Sequence, residues 1–173
     1  VVRLPDRMPV DVTAGSITMD VDSWALAVTL TPASAADYAL LKPAGGVMRE
    51  VEITVNGHVF TALIEDRGVD KRFAQHRYSV SGRSRTALLA EPHAPARSRV
   101  EPDMRLAAQL IDAELEDTGF KAAYDTVDWT VPAGAWSYTS QTPIAAIIAI
   151  AAAAGAVVQS DIAAKTLHIR PRY

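Results

Sequence analysis

Arg49-Glu-Val-Glu-Ile-Thr-Val-Asn-Gly-His-Val-Phe-Thr-Ala-Leu-Ile-Glu-Asp66 decides how the first half of the chain reads. Val51, Ile53 and Val55 alternate with Glu52 and Thr54, the two-residue period of a strand with one buried face. Asn56-Gly57 is the dipeptide that best tolerates the positive φ angles of a type I′ turn. Val59-Phe-Thr-Ala-Leu-Ile64 then returns, so residues 49–66 are expected to form a hairpin. Upstream, Trp24, Leu26, Val28 and Leu30 alternate with Ala25, Ala27 and Thr29, which predicts a half-buried strand. Arg77-Tyr-Ser-Val-Ser81 and Ser16-Ile-Thr-Met-Asp20 predict two more. Short strands with turns between them, and no helical stretch, predict an antiparallel sheet or barrel.

The pattern changes across Glu91-Pro-His-Ala-Pro-Ala-Arg-Ser-Arg-Val-Glu-Pro102. Its three prolines do not suit a helix interior or a central strand, so the segment reads as a connector. Beyond it, Met104, Ala107, Ala108, Leu110, Ile111 and Leu115 recur at helical steps, with Asp103 placed as cap and Gly119 as stop. Trp129 and Val131 read as a strand ended by Pro132-Ala-Gly134. Thr142-Pro143 opens a second helix, with threonine as cap and proline in the first turn. Its isoleucines (144, 147, 148) and alanines nearly complete the circumference, the mark of a buried helix, and Gly155 ends it. Ala156-Val-Val-Gln159 and Thr166-Leu-His-Ile-Arg170 read as a terminal hairpin around Ser160-Asp161. The expected fold is α+β: an antiparallel β-barrel-like domain over residues 1–94, then a small α+β domain over 95–173 built as helix, strand, helix, hairpin.

With 173 residues, 49% of them apolar, the chain can bury one ordinary core or two small ones. That hydrophobicity excludes disorder. The absence of cysteine excludes a disulfide scaffold and thiolate chemistry. A formal charge of −3 argues against a dedicated nucleic-acid binder. The longest apolar run, Ile144 to Val158, is 15 residues, short of the roughly 20 a membrane span needs. The first residues lack a signal-peptide pattern. A chain that starts without methionine and stops at Arg170-Pro-Arg-Tyr173 is expected to be part of a longer protein.

No catalytic pattern emerges. His58, His76, His93 and His168 lack partners at metal-site spacing and read as surface residues. Asp112 and Glu116 share one helix face, the usual solvated edge of an amphipathic helix. Gly15-Ser16 lacks the glycines of a nucleophile elbow, and Gly45-Gly46 lacks the lysine of a phosphate loop. Trp24, Trp129, Trp136 and Tyr138 are the only aromatic candidates for a sugar- or peptide-binding platform. The richest polar signal is Ser81-Gly-Arg-Ser-Arg-Thr-Ala-Leu-Leu89. Arg83 and Arg85, with Gly82 giving the chain freedom to turn, read either as an intersubunit or intersegment clamp or as an exposed strand end bonding local carbonyls.

Val80-Ser-Gly-Arg-Ser-Arg-Thr-Ala-Leu-Leu89 resembles a passage in Mu-like phage baseplate hub proteins. Trp129-Thr-Val-Pro132, Thr142-Pro143-Ile-Ala-Ala-Ile147 and Leu167-His-Ile-Arg170 are similar in turn, so the resemblance spans residues 16–173. It implies a structural virion protein and not an enzyme. Such hubs form homotrimers at the tail tip, between the tail tube and spike proteins, and have relatives in type VI secretion and contractile bacteriocins. Their barrels match tail-tube subunits, and two per chain give a pseudo-sixfold ring; only one is expected here. No cofactor, metal or nucleic acid is implied, and Arg83 and Arg85 become candidate interface residues. The competing reading is a carbohydrate- or peptide-binding module of a cell-wall-associated protein.

Overall fold

A computed structural model describes residues 1–73 and 75–172. In chain order the elements are β1 (Val2–Leu4), β2 (Met8–Pro9), β3 (Val12–Thr18), β4 (Ala27–Pro32), α1 (Ala35–Leu40), β5 (Arg49–Val55), β6 (His58–Arg72) and β7 (Gln75–Ser84). A 3-10 turn, Arg85–Leu89, leads into β8 (Arg97–Val100), β9 (Arg105–Leu106), α2 (Ala107–Leu115), β10 (Lys121–Tyr124), β11 (Thr130–Val131) and β12 (Ser137–Gln141). The chain ends with α3 (Pro143–Ala153), β13 (Ala156–Ser160) and β14 (Thr166–Pro171). The α+β class holds, dominated by antiparallel pairing.

Two compact units interleave in sequence. The first comprises Val1–Met19, Ala25–Arg85 and Ile162–Ala164; the second comprises Asp20–Trp24, Thr86–Asp161 and Lys165–Tyr173. The expected division at 94/95 is a single cut, whereas these units trade short segments.

The first unit is one seven-stranded antiparallel sheet in the order β2-β1-β5-β6-β7-β4-β3. Its centre is the hairpin read from the sequence. Val51 pairs with Ala62 and Ile53 with Phe60 across a turn in which Asn56 (φ 51°) and Gly57 (φ 83°) both take positive φ. Val28, Leu30, Val51, Ile53, Ala62, Ile64 and Val80 turn one face inward onto Val10 and Leu41. The sheet does not close into a barrel. Its two edge strands, β2 and β3, are neighbours in sequence, and the bend between them belongs to both ladders. Val10 N donates to Val1 O at 2.9 Å, while Ala33 N donates to Asp11 O at 2.9 Å.

Three features depart from the expected outline. The first unit contains a helix, α1, whose N-cap Ser34 accepts from Asp37 N at 3.1 Å. A serine followed three residues later by an acidic residue is the capping signal that marks it. The hairpin also runs past Asp66: after a bulge, the β6–β7 ladder continues from Arg67 opposite Val80 to Arg72 opposite Gln75. Gly82 is not a turning point but lies within β7, opposite Ile64. A Cβ there would stand 1.8 Å from Leu63 O, so a close backbone approach requires the glycine.

The second unit holds α2 and α3, with Leu110, Ile111, Leu115, Ile144, Ile147 and Ile150 packed against Val158, Leu167 and Ile169. Its main sheet has three strands in the order β10-β14-β13, with β10 parallel to β14 and β13 antiparallel to it. α3 starts as read: Thr142 Oγ1 accepts from Ala145 N and Pro143 opens the first turn. α2 starts later than expected. Leu106 is its N-cap, Asp103 lies outside it, and Met104 is exposed in the preceding segment. The helix–strand–helix–hairpin outline is too simple. Strands β10 and β12 add to it, and the connector itself supplies β8, which pairs with β12.

Candidate functional site

The most elaborate polar arrangement is centred on Glu114, within the buried stripe of α2. Helical steps bring position 114 into register with Ala107, Leu110, Ile111 and Leu115, so its carboxylate enters the core. The side chain is 0% exposed. Its carboxylate accepts from Arg97 Nε at 3.1 Å, from Arg97 Nη2, and from Arg99 Nη1 at 3.3 Å. Tyr138 Oη donates to it from 2.8–2.9 Å. Arg97 also caps the Glu114 carbonyl at 2.9 Å.

A second carboxylate extends the cluster. Glu101, also buried, accepts from Arg99 Nη2 and Arg105 Nε, both at 3.1 Å. Together these groups tie β8, α2, β9 and β12 into one unit. A buried carboxylate is tolerable only when charge and hydrogen bonds compensate its lost hydration, and here both do.

The ionisation states follow from this packing. Burial and then the hydrogen bond to Glu114 push the Tyr138 phenol above its ordinary value. For the Arg97 guanidinium, burial pulls downward, but the bonds to Glu114 and Tyr138 outweigh it and the net shift is upward. Burial likewise pulls Glu101 upward, but the Asp103 N–H and the two arginines outweigh it and hold the carboxyl below the ordinary range. The Arg97 guanidinium and the Glu101 carboxylate are thus held in their charged forms, and the Tyr138 phenol in its neutral, donating form. The arrangement is a structural tie and not an acid–base pair poised to exchange protons.

Arg83 and Arg85 lie in the first unit, at the end of β7 and just past it, and each holds a carboxylate through two bonds. Arg83 reaches Glu65 at 2.7 and 2.6 Å. Arg85 reaches Glu50 at 2.5 and 2.9 Å and adds the Ala163 carbonyl at 2.8 Å. These pairs cross strands: Glu65 is on β6 and Glu50 on β5. Their side chains keep 31% and 24% exposure, respectively.

The remaining candidates scatter. His58 and His76 are exposed, His93 is half-buried, and His168 sits 3.3 Å from Asp161 within the β13–β14 hairpin. Asp112 is exposed on α2 and Glu116 is exposed at its C-cap. The aromatic platform does not form. Tyr138 is buried with its hydroxyl on Glu114, and Trp24, Trp129 and Trp136 pack half-buried against the second unit's core. Among the described residues, no cluster of three His, Asp or Glu side chains could hold a metal ion, and no helix is long and apolar enough to cross a membrane.

The sequence reading missed the Glu114 cluster. Arg97 and Arg99 lie in the segment that reads as a connector, and the solvated face read from the sequence names only Asp112 and Glu116. The place of Glu114 on the apolar stripe was the available signal.

No family model and no curated protein matches the sequence. Solved structures do match its fold. A tail protein from Neisseria meningitidis MC58 superposes with a TM-score of 0.63 at 14% identity, over 90% of this chain and 44% of that one. The 43 kDa tail protein of prophage MuSo2 from Shewanella oneidensis gives 0.58 at 18% identity, over 90% and 49%. A type VI secretion component of Escherichia coli, reported as similar in structure to the T4 bacteriophage tail proteins gp27 and gp5, gives 0.50 at 10% identity, over 84% and 41%. This chain spans less than half the length of each. Its fold is one that two tail proteins, one of them a prophage's, and a type VI secretion component share.

Proposed function

We propose that the chain is a structural part of a phage or prophage tail, in the baseplate hub, and not an enzyme. The carrying observation is the likeness of fold over 90% of the chain to two tail proteins. The chemistry of the site agrees with it: the most buried carboxylate has its charge and hydrogen bonds satisfied within the fold. In this reading the first unit acts as a tail-tube-like module. The protein assembles as a homotrimer, forming a ring at the tail tip between tail tube and spike after folding in the host cytoplasm. It needs no cofactor. Arg83 and Arg85 serve the interface by fixing the ends of the strands that face a neighbour, since bidentate pairs hold a strand end in one geometry.

Fractionation of tail particles from the genetic element that encodes the chain tests this. The protein is expected to co-purify with tails, and antibody labelling should mark one end of them. A chain absent from purified tails would overturn the proposal.

A further inference from the structure

The two margins of the first unit's sheet are unlike. β2, at one margin, is two residues long, contains Pro9 and follows Arg7. Short length, proline and charge are the usual means of keeping a foreign strand off an edge. β3, at the other margin, has none of the three. It runs for seven residues, Val12-Thr-Ala-Gly-Ser-Ile-Thr18, without a charge or a proline. Its bulge lies at Val12–Ala14 and leaves the ladder regular from Ala14 to Thr18. β4 pairs with one side of β3 and, among the described residues, no strand lies on the other.

β3 is also one bank of an apolar groove, formed wholly within the first unit. On its inner side Gly15 stands opposite Leu30 and Ile17 opposite Val28, while the alternate residues Ala14, Ser16 and Thr18 are exposed. Three strands separate β3 from β5 in the sheet order, yet the sheet curls enough for both to line the same groove. The groove has a volume of about 540 Å³, walled by Val12, Ile17, Leu26, Leu30, Ile53 and Phe60. Met19 and Val55 also line it and remain 51% and 45% exposed. Among the described residues, no charged side chain lines it. Gly15 keeps the β3 bank bare: a Cβ there would meet Leu30 Cδ2 at 2.9 Å. Glycine inside a strand often marks the place where a second backbone comes close.

These features define the occupant. Free N–H and C=O groups along an edge call for another backbone in extended form. An uncharged apolar groove beside that edge calls for apolar side chains at every second residue. A small apolar molecule would fill the groove and leave the edge unpaired. We propose that β3 and its groove receive an extended segment of a partner protein by strand addition. The segment is uncharged, free of proline and apolar at alternate positions. It adds one more strand to the open margin and seats its apolar side chains between β3 and β5. This site goes beyond the tail reading and does not depend on it.

Panning a displayed library of random peptides on the full chain supplies the probe, and the selected peptide is then synthesised. Selected sequences should alternate apolar with small uncharged residues and lack proline. The bound peptide should slow amide hydrogen exchange in residues 12–18. Met19→Lys and Val55→Lys put a charge into the groove at exposed positions, so circular dichroism should show unchanged folding. Each should weaken binding at least about tenfold. Successive N–H groups of a strand point to opposite sides, so methylating one alternate set in the peptide should abolish binding and methylating the other should not.

A library that yields no binder, selected peptides without the alternation, or unchanged exchange in β3 would overturn the proposal. Binding indifferent to both groove variants, or to both methylation sets, would do the same. A self-association that Met19→Lys abolishes would also overturn it, since the edge would then belong to a second copy. Absence of the protein from purified tails would remove the tail reading alone.

Discussion

The two units use the same pair of groups, an arginine fork on a carboxylate, under opposite conditions. In the first, Arg83–Glu65 and Arg85–Glu50 join strands where water still reaches the side chains. In the second, Glu114 is wholly withdrawn from water, and its arginines supply what hydration would have given. An exposed pair can be replaced by solvent when broken. A buried one cannot, so equal geometry carries unequal weight.

Removing the buried partner should therefore have the largest effect. Glu114→Ala leaves two arginines and a phenol facing a void and is expected to destabilise the chain by about 3–5 kcal/mol. Urea denaturation followed by tryptophan fluorescence would show it, since all three tryptophans belong to the second unit. A loss below about 1 kcal/mol would mean the cluster behaves like a surface pair, and the contrast would collapse.

The first unit should be most vulnerable at its backbone and not at its charges. Gly82→Ala forces a Cβ against the Leu63 carbonyl and is expected to cost about 3 kcal/mol. Thermal unfolding measures it.

Tyr138→Phe isolates one hydrogen bond of the buried cluster, with an expected cost of about 1–2 kcal/mol. It also carries a pH signature. Because the Tyr138 phenol is raised in the folded state, its contribution is fully present below the ordinary phenol value and is lost as pH rises through the folded one. Stability should accordingly fall faster above about pH 10 in wild type than in Tyr138→Phe. Glu101, held low, gives the opposite signature: its contribution is present above the ordinary carboxylate range and disappears on acidification through the lowered value. Smallest of all, Arg85→Met should cost only about 0.5–1 kcal/mol and become milder in salt.

Elements whose signal is local could be read from the sequence. The Asn56-Gly57 turn and the Thr142-Pro143 helix start depend on a few adjacent residues, and the structure has both where the pattern puts them. What the sequence concealed depends on distant partners. Arg97 and Arg99 sit among prolines and look like connector; only β12 makes that segment a strand, and only Glu114 gives the arginines a role. Gly82 looked like a pivot because its constraint, the Leu63 carbonyl, comes from another strand. β10 was missed because parallel pairing with β14 leaves no hairpin signature in the chain between them. α1 is the exception. Its capping residues are local, but a six-residue helix between strands has too short a period to stand out.

The bend at Val10–Asp11 has a mechanical consequence. One length of backbone is bonded to β1 on one side and to β4 on the other. Tension applied at the N-terminus would thus be shared between the two margins of the sheet instead of peeling a single strand away. Cutting the chain between those two residues would uncouple the margins without removing a side chain from the core, and would turn a shared load into a sequential one.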